Sequence, residues 1–218
     1  VNVYFISGLC TSCHIFDGIR LPQPYQKIYL EWIEPQRNEP LHDYIARLTK
    51  PIDTTKPFAI VGLSFGGMIA MELNKTLKPV DTIIVSSCPT YKHVPLLYRL
   101  SGSLRMYNLV TKAMINNLRP MVDWFIGAKR SKEEMIALHK TMEQLSENLL
   151  IWSIAQVTRW RNTVVPKKYF HIHGDADRLL PVGKMKPDVL IHGGSHFMIV
   201  SHDKEISDAI AKRLNASI

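Results

Sequence analysis

Short, continuous apolar runs alternate along this chain with stretches whose apolar residues recur every three or four positions. Val3 to Ser7, "VYFIS", is a strand-like run that ends at Gly8. The turn-like "LPQP" leads into "YQKIYLEWI", Tyr25 to Ile33, which is rich in β-formers. Leu41, Tyr44, Ile45 and Leu48 share one helical face, predicting a helix over Leu41 to Leu48. Phe58 to Gly62 is a continuous apolar strand; "LSFGG" follows it, and Met68 to Leu77 reads as a helix. Thr82 to Val85 ("TIIV"), Lys168 to Gly174 ("KYFHIHG") and Asp188 to His192 ("DVLIH") are further strands, and Lys204 to Leu214 is an amphipathic terminal helix.

Short apolar strands alternating with helices predict an α/β fold, a mostly parallel sheet covered by helices on both faces. Residues from about Pro89 to Arg161 break the rhythm because they hold no good strand. Ser131 followed by Glu134 is a capping-box pattern. After it Met135, Leu138, Met142, Leu145, Leu149 and Trp152 recur at helical intervals. The expected organisation is therefore a core of residues 1–88 and 162–218 with a helical cap insertion at 89–161. No repeat or linker marks a second independent domain.

The candidate chemistry sits at strand ends. Gly62-Leu63-Ser64-Phe65-Gly66 follows a strand and precedes a helix. In that context G-x-S-x-G turns sharply and projects the serine hydroxyl above the sheet, where the helix N-terminus favours developing negative charge. A serine nucleophile needs a base, and the base needs an orienting acid. "HIHGDADRLLP" ends one strand and offers Asp175 and Asp177; "GGSHFMIV" follows the next and offers His196. The order Ser64, Asp177, His196 is the one expected on this sheet architecture. Gly193 and Gly194 give the histidine loop freedom to turn toward the serine.

From "FISGL" to "GGSHF" the chain resembles the α/β-hydrolase superfamily, in particular its small, single-domain esterase-like serine hydrolases. The resemblance implies an acyl-enzyme mechanism without cofactor or metal. It also implies an oxyanion hole from the backbone amides of Leu9 and Phe65, and selects Asp177 through the form His-Gly-x-x-Asp. Asp175, nearer the strand end, is expected to bond local backbone amides. The chain departs from the family in three ways. Ser7 stands where the family has His, the fold is expected to be reduced at its N-terminus by two strands, and only Val182 to Pro187 lie between the last strands, too few for the usual helix. Tyr98, Met106, Trp124, Phe125 and Trp152 are available in the cap to shape a pocket for a small or medium, partly apolar molecule. A thioesterase, a carbon–carbon bond hydrolase or a lyase would use the same triad, and a binding protein could keep the fold without turnover.

"LCTSCH", residues 9–14, reads as the C-x-x-C-H of covalent haem attachment or as a thiol redox pair. Cys10 and Cys13 directly follow Leu9, where haem would occupy the substrate's place, so both are expected to be packing or loop residues. His171 and His173 alternate onto one face, but no carboxylate or cysteine set completes a metal site, so sheet packing is expected.

Bulk properties exclude more than they assign. With 46% hydrophobic and 21% charged residues the chain is ordinary globular protein. Its formal net charge of +8 comes from scattered Lys and Arg, the densest run being Lys129-Arg130-Ser131-Lys132 without interleaved aromatics. That reads as a solvated basic surface, with no nucleic-acid partner. No apolar run approaches the roughly 18 residues of a membrane span. No signal-peptide pattern precedes "VYFIS", although a chain opening on Val rather than Met leaves N-terminal trimming open. Three cysteines are a poor disulfide framework and point to a reducing, cytoplasmic setting. Oligomeric state is left open.

Overall fold

The computed structural model describes residues 1–9, 11–117, 119–126 and 146–217. Its strands are β1 (Asn2–Ile6), β2 (Gln26–Leu30), β3 (Phe58–Leu63), β4 (Asp81–Val85), β5 (Phe170–Gly174) and β6 (Val189–Ile191). They form one sheet in the order β2-β1-β3-β4-β5-β6, and every neighbouring pair is parallel. The expected mostly parallel sheet is thus wholly parallel among the described residues.

Alternation along each strand divides the core. Tyr4, Ile6, Phe58, Ile60 and Ile84 point to one side, where α1 (Leu41–Leu48) and α2 (Phe65–Leu73) pack. Val3, Phe5, Ala59, Val61, Ile83 and Val85 point to the other, where the single turn Cys13–Phe16 joins the two C-terminal helices. Those helices are α7 (Met198–Ser201) and α8 (Asp203–Ser217). Period-two alternation with both faces apolar explains why the strands read as continuous hydrophobic runs.

Between β4 and β5 the described residues hold no strand. They form α3 (Leu96–Ser103), α4 (Lys112–Asn117), α5 (Arg119–Ile126) and α6 (Glu147–Arg159). Ser146 caps α6, its hydroxyl accepting the Leu149 N–H at 3.0 Å. Leu149 and Trp152 therefore belong to a helix that starts at Glu147. The expected capping pair Ser131 and Glu134, the residues Met135, Leu138, Met142 and Leu145, and the basic run 129–132 lie outside the described residues.

Element boundaries shift where tertiary contacts act. β2 ends at Leu30, short of Ile33, because β1, its only partner in the sheet order, ends opposite it at Ile6. α2 starts at Phe65, three residues earlier than its periodicity suggests, directly out of Ser64, and stops at Leu73 rather than Leu77. No helix occupies the described residues between Gly174 and Val189, as the short spacing implies.

The chain order reverses between β1 and β3, so the crevice above their C-terminal ends is the topological switch point where such sheets bind ligands. The turn from β3 into α2 is tight. A Cβ on Gly66 would lie 2.3 Å from the Ile6 carbonyl oxygen and one on Gly62 2.4 Å from that of Gly66, both fixed backbone atoms. Gly66→Ala is accordingly expected to lower the unfolding free energy by about 1–3 kcal/mol through overpacking. Urea unfolding measures it, and an unchanged midpoint would show that the β1–α2 contact can open freely.

Candidate active site

Ser64 sits at the end of β3 as the N-cap of α2, with φ 52° and ψ −118°. A non-glycine residue held there costs about 1–3 kcal/mol, sustained only by surrounding contacts. Those contacts are present. The Ser64 N–H donates to the Val85 carbonyl at 2.9 Å, and the Ser64 carbonyl accepts from the Ser87 hydroxyl at 2.7 Å and the Gly67 N–H at 3.0 Å. The strained turn leaves the side-chain oxygen facing His196, whose Nε2 lies 2.8 Å from Ser64 Oγ.

His196 follows β6 on the loop entered through Gly193, whose φ of 72° is in the left-handed region that glycine tolerates. Its Nδ1 lies 2.8 Å from Asp177 Oδ2. An ionised carboxylate only accepts, so Nδ1 carries the proton and Nε2 is left to accept from Ser64. Asp177 is buried, and Oδ1 accepts the N–H groups of Leu179 at 2.9 Å and Leu180 at 2.8 Å. Burial opposes its ionisation. The His196 charge, hydrogen bonds from His173 and His196 and the Leu180 N–H outweigh burial, holding the carboxyl well below the usual range.

The structure thus brings Ser64, His196 and Asp177 into one hydrogen-bonded line. Asp175 differs from expectation. It bonds the facing loop rather than its own turn, accepting the Gly193 N–H at 2.7 Å and meeting His192 Nδ1 at 2.9 Å. The acid and histidine loops are laced together further by Asp175 N–H to Ile191 O and Ala176 N–H to Gly194 O.

His173 is the residue that sequence reasoning assigned only to packing. Its Nε2 lies 2.8 Å from the Leu180 carbonyl and 3.4 Å from Asp177 Oδ2, so it carries the proton and supports the carboxylate's back. Its Nδ1 then accepts from His171 Nε2 at 3.0 Å. Both imidazoles are fully buried, and His171 Nδ1 has no hydrogen-bond partner. The signal was present in the alternation of the two histidines one turn before Asp177, but strand periodicity does not say which loop a side chain will meet.

Leu9 and Phe65 both border the crevice. Phe65 opens α2, so its N–H is among the four that have no acceptor within the helix. The Gly8 carbonyl accepts from the Trp32 indole at 3.2 Å and the Thr11 hydroxyl at 2.9 Å. Because the peptide is planar, these bonds also fix the plane that carries the Leu9 N–H. Ser7, the departure from His, donates its hydroxyl to the Thr11 carbonyl at 2.7 Å and braces the same loop.

Cys13 is fully buried and directs its thiol at the Leu30 and Phe5 carbonyls, while burial and the nearby Glu31 charge push its pKa up to about 11. It packs, as expected, and is a poor nucleophile or ligand. Cys10 lies outside the described residues. Among the described residues no three His, Cys, Asp or Glu side chains converge as metal ligands.

A cavity of about 530 Å³ adjoins Ser64 and His196. Leu9, Leu63 and Met68 line its base, Tyr98, Val110, Met114, Ile115, Met121 and Phe125 one wall, and Leu150, Ile154 and Val157 of α6 another. Among the described residues no Asp, Glu, Lys or Arg borders it. Of the aromatic residues expected to shape it, Tyr98 and Phe125 do so. Met106 and Trp124 are exposed instead. Trp152 is buried behind the wall against Tyr44 and Phe65, its indole donating to the Glu39 carbonyl at 2.8 Å.

Residues 24–209 match the alpha/beta hydrolase family, and the chain belongs to it. Solved structures share its fold at low identity. An esterase (EaEST) from Exiguobacterium antarcticum is 14% identical with a TM-score of 0.72, covering 98% of this chain and 91% of that one. MenH from S. aureus is 13% identical with a TM-score of 0.71, over 99% and 94%. A thermophilic esterase from Thermogutta terrifontis is 11% identical with a TM-score of 0.70, over 100% and 90%. No curated protein sequence matches the chain.

The buried histidine pair generates a pH prediction. Burial first, and the neighbouring His173 second, lower the His171 pKa from 6.5 to about 3. The unfolded chain takes up this proton below about pH 6.5 while the folded chain does not. The His171 contribution is intact above that pH and is lost as pH falls toward 3, at up to about 1.4 kcal/mol per pH unit. Urea unfolding of wild type and His171→Gln at neutral and mildly acidic pH is expected to give a shallower acid-side loss in the variant. Identical slopes would mean that His171 is charged in the folded protein.

Proposed function

We propose that the protein is a serine hydrolase that cleaves an ester or related acyl bond of a small or medium, apolar substrate through an acyl-enzyme. The observation that carries this reading is the line Ser64 Oγ, His196 Nε2, His196 Nδ1, Asp177 Oδ2, with 2.8 Å at each hydrogen bond. Ser64 attacks the acyl carbonyl while His196 Nε2 takes its proton. Asp177 holds the imidazole in the productive tautomer and stabilises its cation. The Leu9 and Phe65 amides receive the oxyanion at the start of α2, where the helix dipole assists. His196 then protonates the leaving group and activates the water that releases the acid.

Residues 89–161 act as the cap, and their apolar wall gives the acyl group its place in a cavity that no charged side chain borders among the described residues. No helix among the described residues is long and apolar enough to cross a membrane. The buried free thiols of Cys13 and Cys88 accord with a reducing, cytoplasmic setting.

A fluorophosphonate probe is expected to label the wild-type protein on Ser64 and to leave folded Ser64→Ala unlabelled. Turnover of an acyl ester should fall by about 10³-fold or more in that variant. Wild-type rates in Ser64→Ala would refute the nucleophile. Asp177→Asn is expected to reduce kcat by up to about 10⁴-fold, since Asn favours the wrong tautomer. Asp175→Asn, which removes only the lacing between loops, should cost mainly stability. Matched kinetics and unfolding curves separate the two, and a larger kcat loss in Asp175→Asn would move the acid role to that residue.

A further inference from the structure

Helix α3 is amphipathic in the reverse of the usual sense. At 3.6 residues per turn Leu96, Leu97, Leu100 and the following Leu104 fall within one arc of about 100°. All four are exposed, from 51% for Leu100 to 74% for Leu104. The opposite side carries Tyr98 and Gly102. Gly102 approaches α6 so closely that a Cβ there would lie 2.4 Å from the Thr158 carbonyl oxygen, and Tyr98 borders the cavity beside Ser64. Close packing through glycine thus fixes the rotation of α3 and turns its leucines to solvent. Met106 and Leu109, 48% and 69% exposed, extend the apolar surface along the next turn.

The charge along this stretch of sequence has one sign. Between Asp81 and Asp123 the sequence contains five Lys and Arg and no acidic residue. Lys92 and Arg105, which precede and follow the helix in the chain, are exposed, and Arg99 of the helix lies over the Tyr91 ring. No described carboxylate forms an ion pair with any of these three.

We propose that the leucine face of α3, with Lys92, Arg99 and Arg105 at its borders, is a docking surface for an anionic lipid layer. An apolar arc flanked by cations is the pattern by which helices lie in a lipid interface, the side chains entering the acyl region while the cations meet headgroup phosphates. A contiguous patch of exposed leucines marks a contact surface, and charge decides between occupants. In a two-fold dimer through this face the same patch meets itself, so the three cations would face their own copies, with no carboxylate among the described residues paired to them. An anionic layer supplies that offset. Docking does not depend on the hydrolase reading. Its consequence does: with Tyr98 on the inner side of the docked helix, the substrate would be an acyl amphiphile drawn from the layer into the adjoining cavity.

The test uses the full chain and vesicles of phosphatidylcholine with or without phosphatidylglycerol. Wild-type protein is expected to co-sediment with the anionic vesicles, less so as salt is raised, and weakly with the neutral ones. Leu97→Ser with Leu104→Ser should weaken binding by about tenfold or more, since both apolar side chains would otherwise be buried in the layer. Arg105→Glu should weaken it on anionic vesicles only. None of the three positions borders the cavity, so hydrolysis of a short, water-soluble ester and the thermal midpoint should be unchanged in these variants. Absent binding, or binding that the leucine substitutions leave intact, overturns the proposal. So does a wild-type dimer that those substitutions convert to monomer without any vesicle binding, which would assign the face to a second copy. Vesicle binding by a protein that fluorophosphonate does not label would sustain the docking surface and refute the hydrolase reading.

Discussion

Ser64 occupies a backbone conformation that a side chain ordinarily avoids, and the site depends on keeping it there. About 1–3 kcal/mol of strain at that residue must be outweighed by what the turn brings together. Immediately after it Met68, Ile69, Met71 and Leu73 are buried to within a few per cent. Each stabilises by about 1.5–3 kcal/mol, so seating α2 on the sheet exceeds the strain several times over. The absence of side chains at Gly62 and Gly66 permits the approach, letting α2 press against the ends of β1 and β3. The same closeness sets the Gly8 loop beside Ser64, so the geometry of the crevice follows from one overdetermined turn.

Asp177 is the second point of convergence. Its two oxygens take bonds from His196, two backbone amides of its own loop and, at longer range, His173. The loop is also tied to the histidine loop by Asp175 and by backbone bonds. A buried carboxylate with this many donors stays ionised and keeps one orientation, and a histidine bonded to it keeps one tautomer. The His171–His173 pair extends the network into the sheet through the 3.0 Å contact between His171 Nε2 and His173 Nδ1, with His171 Nδ1 left without a hydrogen-bond partner.

The helices between β4 and β5 are unusual in being apolar on two sides. Inward, Tyr98, Val110 and Met114 meet a cavity whose described lining holds no Asp, Glu, Lys or Arg; outward, α3 exposes its leucines. An ordinary surface helix hides its apolar arc against the core. Here close packing of Gly102 on α6 takes precedence, and the arc is left for another contact.

Much of this was legible in the chain itself. Continuous apolar runs of four to six residues located the strands, because a doubly covered parallel sheet leaves no polar face. Gly62-x-Ser64-x-Gly66 between a strand and a helix placed the sharp turn, because backbone crowding there admits only glycine. The order of Ser64, Asp177 and His196 after three of the strands named three side chains that the folded sheet brings within hydrogen-bond reach. Tertiary structure decided what local pattern cannot carry. Ser64 and His196 are 132 positions apart, and only the folded sheet sets their 2.8 Å contact. Asp175 bonds the opposite loop, Trp152 retreats behind the cavity wall and His173 reaches the carboxylate, each because of which element packs against it. The direction of the α3 leucines was beyond sequence altogether: periodicity defines an apolar arc, but the partner against which a helix is pressed determines whether that arc faces the core or the solvent.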